Sequence, residues 1–369
     1  MKKALRIFLL SLMAVAALIG CERRPLEYAD EQGLKVIVKV LWNVEVYPDG
    51  IKPSGITLYF FRDGEFYMKQ TTANVDSCSV QLDPGRYRLY MISQSPEEYG
   101  RMEFHHMTDF DKASVSVTET ETRWYTRAAD EELLANPEMM VAGVSDEFEV
   151  TEDMVENYQI HNYALKQEKR RLAQTKSGGD AELTKAEALV NYYTIRVPVY
   201  PRSVVSQYWV TIYSDNADVL QSVRASTSGM AKTFDLTQDV TDVEIGTQFI
   251  TEWSLTLDDP ARRVGHVDGR ITTFGFPNGE RPSSQRDSSL NVSALLVDSK
   301  TVENYVFNVG DKITSDVPPA GYRSLYRLIF GSVENPAIHP PDVAPSGGGG
   351  GFTAGVNDWD EEINTEIEI

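Results

Sequence analysis

The side chains best suited to chemistry in this 369-residue chain are few and poorly grouped. Its five histidines are His105, His106, His161, His266 and His339, and none sits in HExxH or another metal-ligand spacing. His105 and His106 lie side by side in MEFHHMTDF, which reads as a loop between strands. Adjacent side chains on a strand point to opposite faces, so the pair is ill placed to grip one ion. No GxSxG nucleophile elbow is present, no P-loop, and no GxGxxG after a strand. The glycine run at 347–351 lacks the lysine and the strand–helix setting of a phosphate cradle. Asp358-Trp359-Asp360-Glu361-Glu362 gathers carboxylates without the spaced ligands of an EF-hand loop. The sequence therefore points to no enzyme, no cofactor and no metal.

Cys21 is the exception, because the residues around it prescribe a reaction. MKKALR is a basic start, and IFLLSLMAVAALI is an apolar run of thirteen residues. As a helix that run would reach about 20 Å, too short for a hydrocarbon core of ~30 Å. Residues 1–20 thus read as a secretory signal peptide. Leu18-Ile19-Gly20-Cys21 resembles the bacterial lipobox, in which the cysteine is diacylated and becomes the mature N terminus. With Cys21 committed to lipid, Cys78 has no intramolecular partner. It falls in phase with Val80 and Leu82 in VDSCSVQL, and so reads as a small buried apolar residue. The formal charge is −20, and removal of Lys2, Lys3 and Arg6 makes it more negative. A chain this acidic is a poor partner for nucleic acid. The membrane partner expected is the bilayer reached through the lipid on Cys21.

The elements that must position anything useful are strands. After a polar tether at 21–33, LKVIVKVLW places Val36, Val38, Val40 and Trp42 on one face. GITLYFFRDGEFYMKQ reads as a hairpin about Asp63-Gly64, and Asp83-Pro84-Gly85 as a second turn. Residues 34–126 thus read as an N-terminal β-sandwich. Residues 127–187 are highly charged, with no period of two, and form a partly helical connection. Its basic cluster (Lys166, Lys169, Arg170, Arg171) reads as a solvated helix face rather than a nucleic-acid site. Alternation resumes in ALVNYYTIRVPVY and runs through ENYVFNVG, giving a C-terminal sandwich over 188–335. A Pro/Gly-rich linker at 336–351 follows. The last segment, 352–369, alternates to its end, with Ile363, Thr365, Ile367 and Ile369 on one face and Trp359 at its start. Trp359, Ile363, Ile367 and Ile369 are the candidates for strand exchange. Folding back onto the chain's own sheet and donation to a neighbour both remain open for them. No helices alternate with strands as in βαβ units, so the fold class is all-β: two tandem antiparallel β-sandwich domains of Ig-like type behind a lipoprotein signal peptide.

Aromatic residues offer a second class of function. Tyr192-Tyr193, Tyr208-Trp209 and Tyr322 with Tyr326 could form a stacking platform for carbohydrate, although half of such residues in a sandwich line the core. This alternative, a glycan-binding envelope lipoprotein, requires Trp209 and Trp253 to stand clear of the cores.

Five stretches in order carry a family resemblance: WNVEVYPDGIKPSGITLYFFRDG, LDPGRYRLYMISQSPEEYGRMEFHHM, STSGMAKTFDL, RITTFGFP and SALLVDSKTVENYVFNVGDKI. From Leu34 to Val333 the chain resembles the Bacteroidales lipoproteins grouped as DUF5119, which are similar to the FimB/Mfa-type fimbrial anchor proteins. The resemblance implies a two-domain, transthyretin-like sandwich lipoprotein, held in the outer membrane through Cys21. It implies fimbrial subunit proteins as partners, joined by β-strand addition. It also implies a non-enzymatic anchor or accessory role in a fimbrium and in cell adhesion. Surface-exported lipoproteins of this kind commonly carry an acidic run after the cysteine. Glu22-Arg23-Arg24 holds one acid, so periplasmic and surface-facing orientations both stay open. No basic cleavage site follows an N-terminal strand, which favours an anchor over a polymerising stalk.

Overall fold

The computed structural model describes residues 33–48, 50–121, 132–175 and 180–346. In chain order the strands are β1 (Leu34–Val40), β2 (Ile56–Arg62), β3 (Glu65–Thr72), β4 (Ser77–Leu82), β5 (Gly85–Ser93), β6 (Met102–His105), β7 (Ser114–Val117), β8 (Leu133–Leu134), β9 (Val141–Val144) and β10 (Phe148–Val150). Helices α1 (Glu152–Thr175) and α2 (Asp180–Tyr192) come next. There follow β11 (Ile195–Val199), β12 (Arg202–Ser203), β13 (Ser206–Ser214), β14 (Leu220–Ala231), β15 (Thr233–Asp235), β16 (Val240–Thr241) and β17 (Ile245–Ile250). The series closes with β18 (Trp253–Asp259), β19 (Val264–Thr273), β20 (Ser289–Leu296), β21 (Val302–Asn308), β22 (Thr314–Asp316) and β23 (Leu325–Phe330). Strands β1 and β4 belong to a three-stranded sheet in the order β11-β1-β4.

The chain divides into two compact units. One gathers the described residues up to Ile37 with Ser79–Arg86 and the described residues of Glu149–Arg196. Its helical hairpin is the part whose conformation the sequence leaves least determined. Helix α1 starts where the Met154 amide donates to Thr151 Oγ1 at 3.3 Å, with Glu152 and Asp153 in the first turn against the positive end of the dipole. Lys169 pairs with Glu187 at 3.1 Å and Arg171 with Glu182 at 3.1 Å, so two members of the basic cluster hold α2 to α1. Tyr158, Leu165 and Val190 are buried in this unit.

The second unit comprises the described residues of Val38–Cys78 and Tyr87–Phe148 and those from Val197 to Ser346. Two sandwiches make it up. In one, a sheet in the order β12-β9-β5-β2-β3 shares a core with a sheet in the order β16-β15-β7-β6. Tyr59 and Phe61 of β2, Tyr90 and Ile92 of β5, Val115 and Val117 of β7 and Phe234 of β15 meet there. The turn at Asp63-Gly64 has positive φ at both residues (52° and 89°), the geometry that suits the twist of a two-residue hairpin. In the other sandwich the orders are β21-β20-β14-β17-β8 and β18-β19-β13-β23-β22. Strand β13 alternates strictly, burying Tyr208, Val210 and Ile212 against Val292 and Ala294 of β20.

The two halves of the sequence interleave. Strand β7 pairs with β15, β8 runs parallel to β17, and β9 pairs with β12. The Pro-rich segment before the glycine run is packed down. Ile338 is buried and bridges to Ser214, while the Ser346 amide donates to the Val297 carbonyl at 3.1 Å. His105 proves to be the last residue of β6, paired through its ring to Ser116 at 2.6 Å, and His106 alone turns the chain, with φ of 52°.

Candidate strand-accepting edge

Cys21, Trp359, Ile363, Ile367 and Ile369 lie outside the described residues. Three of the histidines are held by carboxylates or a hydroxyl: His105 by Ser116, His266 between Asp258 (2.7 Å) and Asp268 (3.3 Å), and His339 by Asp215 (2.6 Å), while His161 stacks on Tyr193. Among the described residues no three His, Cys, Asp or Glu side chains gather as a metal site. Cys78 is buried, and burial pushes its thiol pKa up, in keeping with a packing role.

The aromatic pairs have separate fates. Tyr208, Trp253 and Tyr326 are buried in the second sandwich. Trp209 lies on the outer face, covered by the guanidinium groups of Arg270 (4.3 Å) and Arg327 (4.9 Å). Tyr192 is exposed, and its ring meets Tyr193 edge-on. Tyr208, Trp209 and Tyr326 therefore form no stacking platform.

An open sheet edge is present instead. Strand β21 ends its sheet, paired on one side to β20 through seven consecutive positions from Leu295↔Val302 to Ser289↔Asn308. The Leu296 amide donates to the Thr301 carbonyl (2.9 Å), and the Val309 amide to the Ser288 carbonyl (3.0 Å), one position beyond each end of the ladder. Antiparallel pairs alternate between bonded and non-bonded positions. Glu303, Tyr305 and Phe307 therefore turn their backbone groups toward β20. Val302, Asn304, Val306 and Asn308 turn theirs outward, where no described backbone group meets them. A row of unpaired donors and acceptors of this length is a template for another strand.

The side chains complete the template. Tyr305 and Phe307 point inward, half-buried, as a shelf at the rim of the core, and Phe307 stacks on Phe330 with centroids 4.3 Å apart. The Tyr305 hydroxyl is buried without a hydrogen-bond partner among the described residues. Its pKa is pushed up to about 12, first by burial and then by the charges of Glu303 and Asp215. Val306 stands 66% exposed on the outer face. Ser346, the last described residue, also contacts Ser299 Oγ at 3.3 Å in the turn that leads into β21. The chain thus leaves the described fold beside the start of the open edge. Alternation in ENYVFNVG signals this strand. That it ends its sheet emerges only from the pairing.

Residues 20–251 match the model of a family described as a domain of unknown function, DUF5119. No curated protein matches the chain. Among solved structures, a candidate adhesin from Bacteroides ovatus superposes with a TM-score of 0.51 at 12% identity, covering 88% of this chain and 99% of that one. The fimbrial anchor protein Mfa2 from Porphyromonas gingivalis gives 0.42 at 11% identity, over 80% of this chain and 90% of that one. The likeness to the first is a likeness of fold.

Proposed function

Since the chain belongs to the DUF5119 family, we propose that it is a non-enzymatic, fimbrial-type assembly lipoprotein of the cell envelope, anchored through Cys21, that joins a partner subunit by strand addition at β21. The observation that carries the reading is the outward row of backbone groups at Val302, Asn304, Val306 and Asn308, above the apolar shelf of Tyr305 and Phe307. An added strand would take its affinity from the backbone bonds and its register from side chains laid on that shelf. Lipid on Cys21 would supply the tether: one acyl chain holds a protein marginally, two or more hold it stably. The Bacteroides ovatus protein of similar fold is described as a candidate adhesin, which agrees with this role.

The alternating C-terminal segment is a ready complementary strand, with Ile363, Ile367 and Ile369 as the side chains for the shelf and Trp359 at its start. The position of Ser346 supports its pairing first with the chain's own β21. Donation to a neighbour uses the same chemistry. A photo-crosslinking residue in place of Val306, carried by the full-length protein in its native envelope, tests the reading. An adduct with a second envelope protein supports partner addition, and an adduct with residues 352–369 assigns the edge to the chain's own tail. If neither forms, β21 is not an acceptor and the proposal fails.

A further inference from the structure

A groove of about 500 Å³ opens on the second unit, lined mostly by loop residues together with Arg202 and Ser203 of β12, and by no residue of β21. That volume lies within the usual range for small-ligand sites. Tyr47 lines it, 2% exposed, in edge-on contact with Trp42 and with no well-formed hydrogen bond to its hydroxyl among the described residues. Tyr200 stands at the groove 61% exposed, next to Pro201, and Tyr322 lines it half-buried. Aromatic rings presented this way in a surface groove are flat apolar faces with a polar tip.

The charged groups are organised with equal care. Asp239 holds a left-handed backbone conformation, φ 59°, which costs a non-glycine residue energy unless its surroundings fix it. Arg323 does so, donating from Nη1 to Oδ1 at 2.6 Å and from Nη2 to the Asp239 carbonyl at 2.9 Å. Arg202 donates from Nη1 to the other carboxylate oxygen at 3.1 Å, yet its side chain remains 73% exposed. Two guanidiniums share one carboxylate, so the cluster carries a net positive charge on a chain whose formal charge is −20. The exposed fork of Arg202 is the group that geometry leaves for an incoming carboxylate, which it can bind through two parallel bonds.

We propose that this groove binds an acidic saccharide, with a sugar ring stacked on Tyr200 and Tyr322 and its carboxylate held by Arg202. The site is open to solvent rather than enclosed, which suits a segment of an oligosaccharide better than a sequestered metabolite. The apolar faces of pyranose rings match the tyrosines, while Ser324 offers a hydroxyl partner at the wall. The site is separate from strand addition, so either proposal can fail while the other stands.

Calorimetric titration of the mature full-length chain tests it, using oligogalacturonate, a hyaluronan tetramer and sialyllactose as probes. Methyl-esterified versions of the same sugars serve as neutral controls. At least one acidic probe is expected to bind, and its ester to bind about tenfold more weakly, as loss of a charge-assisted pair requires. Tyr200→Ala and Arg202→Gln, both at exposed side chains, should each weaken binding by about tenfold while the thermal unfolding midpoint stays put. The proposal is overturned if no acidic probe binds, if esters bind as well as acids, or if both variants bind as the parent does. Capture of a peptide C-terminal carboxylate in place of every sugar would equally overturn it, assigning the groove to a protein end.

Discussion

Strand β3 closes one sandwich with eight residues that include Glu65 and Lys69, and its pairing with β2 slips by one residue between Phe60 and Phe61. Strand β21 closes the other with seven residues in unbroken register, and neither lysine nor proline lies among them. Bulges and lysines are the ordinary means by which a protein blunts an edge against unwanted pairing. Lys69 also reaches Glu97 at 3.4 Å and lies over the Tyr59 ring of β2 at 5.7 Å, so the charge is held on the face of the sheet beside the edge strand. One edge is guarded and the other is left serviceable within a single chain. The difference teaches that the openness of β21 is a local property, not a habit of the fold.

The sharpest way to break that contrast uses backbone parity. Tyr305→Pro removes an amide that the β20–β21 ladder uses and deletes an aromatic from the rim of the core; about 3 kcal/mol of stability should be lost. Val306→Pro, one residue on, removes an amide that points outward. Proline is tolerated on an edge with its nitrogen toward solvent, so the cost should stay within about 1 kcal/mol. Urea unfolding of the two variants reads the difference directly, and equal losses would mean that the ladder parity is wrong. Strand capture at β21 should disappear in both.

A smaller effect comes from exchanging the guards. Val306→Lys gives β21 the device that β3 carries, and should reduce crosslinking or strand capture by about tenfold while shifting stability by no more than about 0.5 kcal/mol. Lys69→Val should do the reverse to β3, with lower solubility on concentration, seen by light scattering. If the lysine leaves capture at β21 unchanged, the edge is not the acceptor.

What the sequence showed of this contrast was uneven. The β2–β3 hairpin is written in Asp63-Gly64, since those two residue types tolerate the positive φ that the turn demands. The burial of Cys78 follows from its phase with Val80 and Leu82. The alternation of β13 and β21 is plain in the residues themselves. Nothing local says that β7 will pair with β15, or β9 with β12, because period-two patterns specify a buried face and not the identity of the neighbour. For the same reason the edge status of β21 was illegible: it depends on which strand is missing. The groove was hidden too. Arg202, Asp239 and Arg323 are scattered polar residues in sequence, and only the left-handed turn at Asp239 brings them together. Helix α1 was half-legible, for its cap at Thr151 and its acidic first turn are present, but its stripe of apolar residues is thin.

The smallest effect is a titration, and it compares the same two edges. Tyr59 on β2 is 3% exposed beneath guarded β3, whereas Tyr305 on open β21 is half-buried; burial raises both pKa values to about 12. A tyrosine raised in the fold contributes stability that is complete below its unfolded value of about 10. That contribution is lost as pH rises through the folded value, because the unfolded chain releases the proton first. Stability should therefore fall between about pH 10 and 12, and Tyr59→Phe or Tyr305→Phe should each flatten part of that fall. The two sites should then diverge when a strand is added. A strand laid on the shelf would cover the exposed remainder of the Tyr305 side chain, deepen its burial and drive its ionisation still higher, while Tyr59 would titrate as before. Absorbance at alkaline pH, compared between the full-length chain and one ending at Gly351, measures this, with Tyr305→Phe identifying the signal. A Tyr305 signal that does not move in any complex would mean that the shelf stays uncovered, and that β21 is as closed to partners as β3.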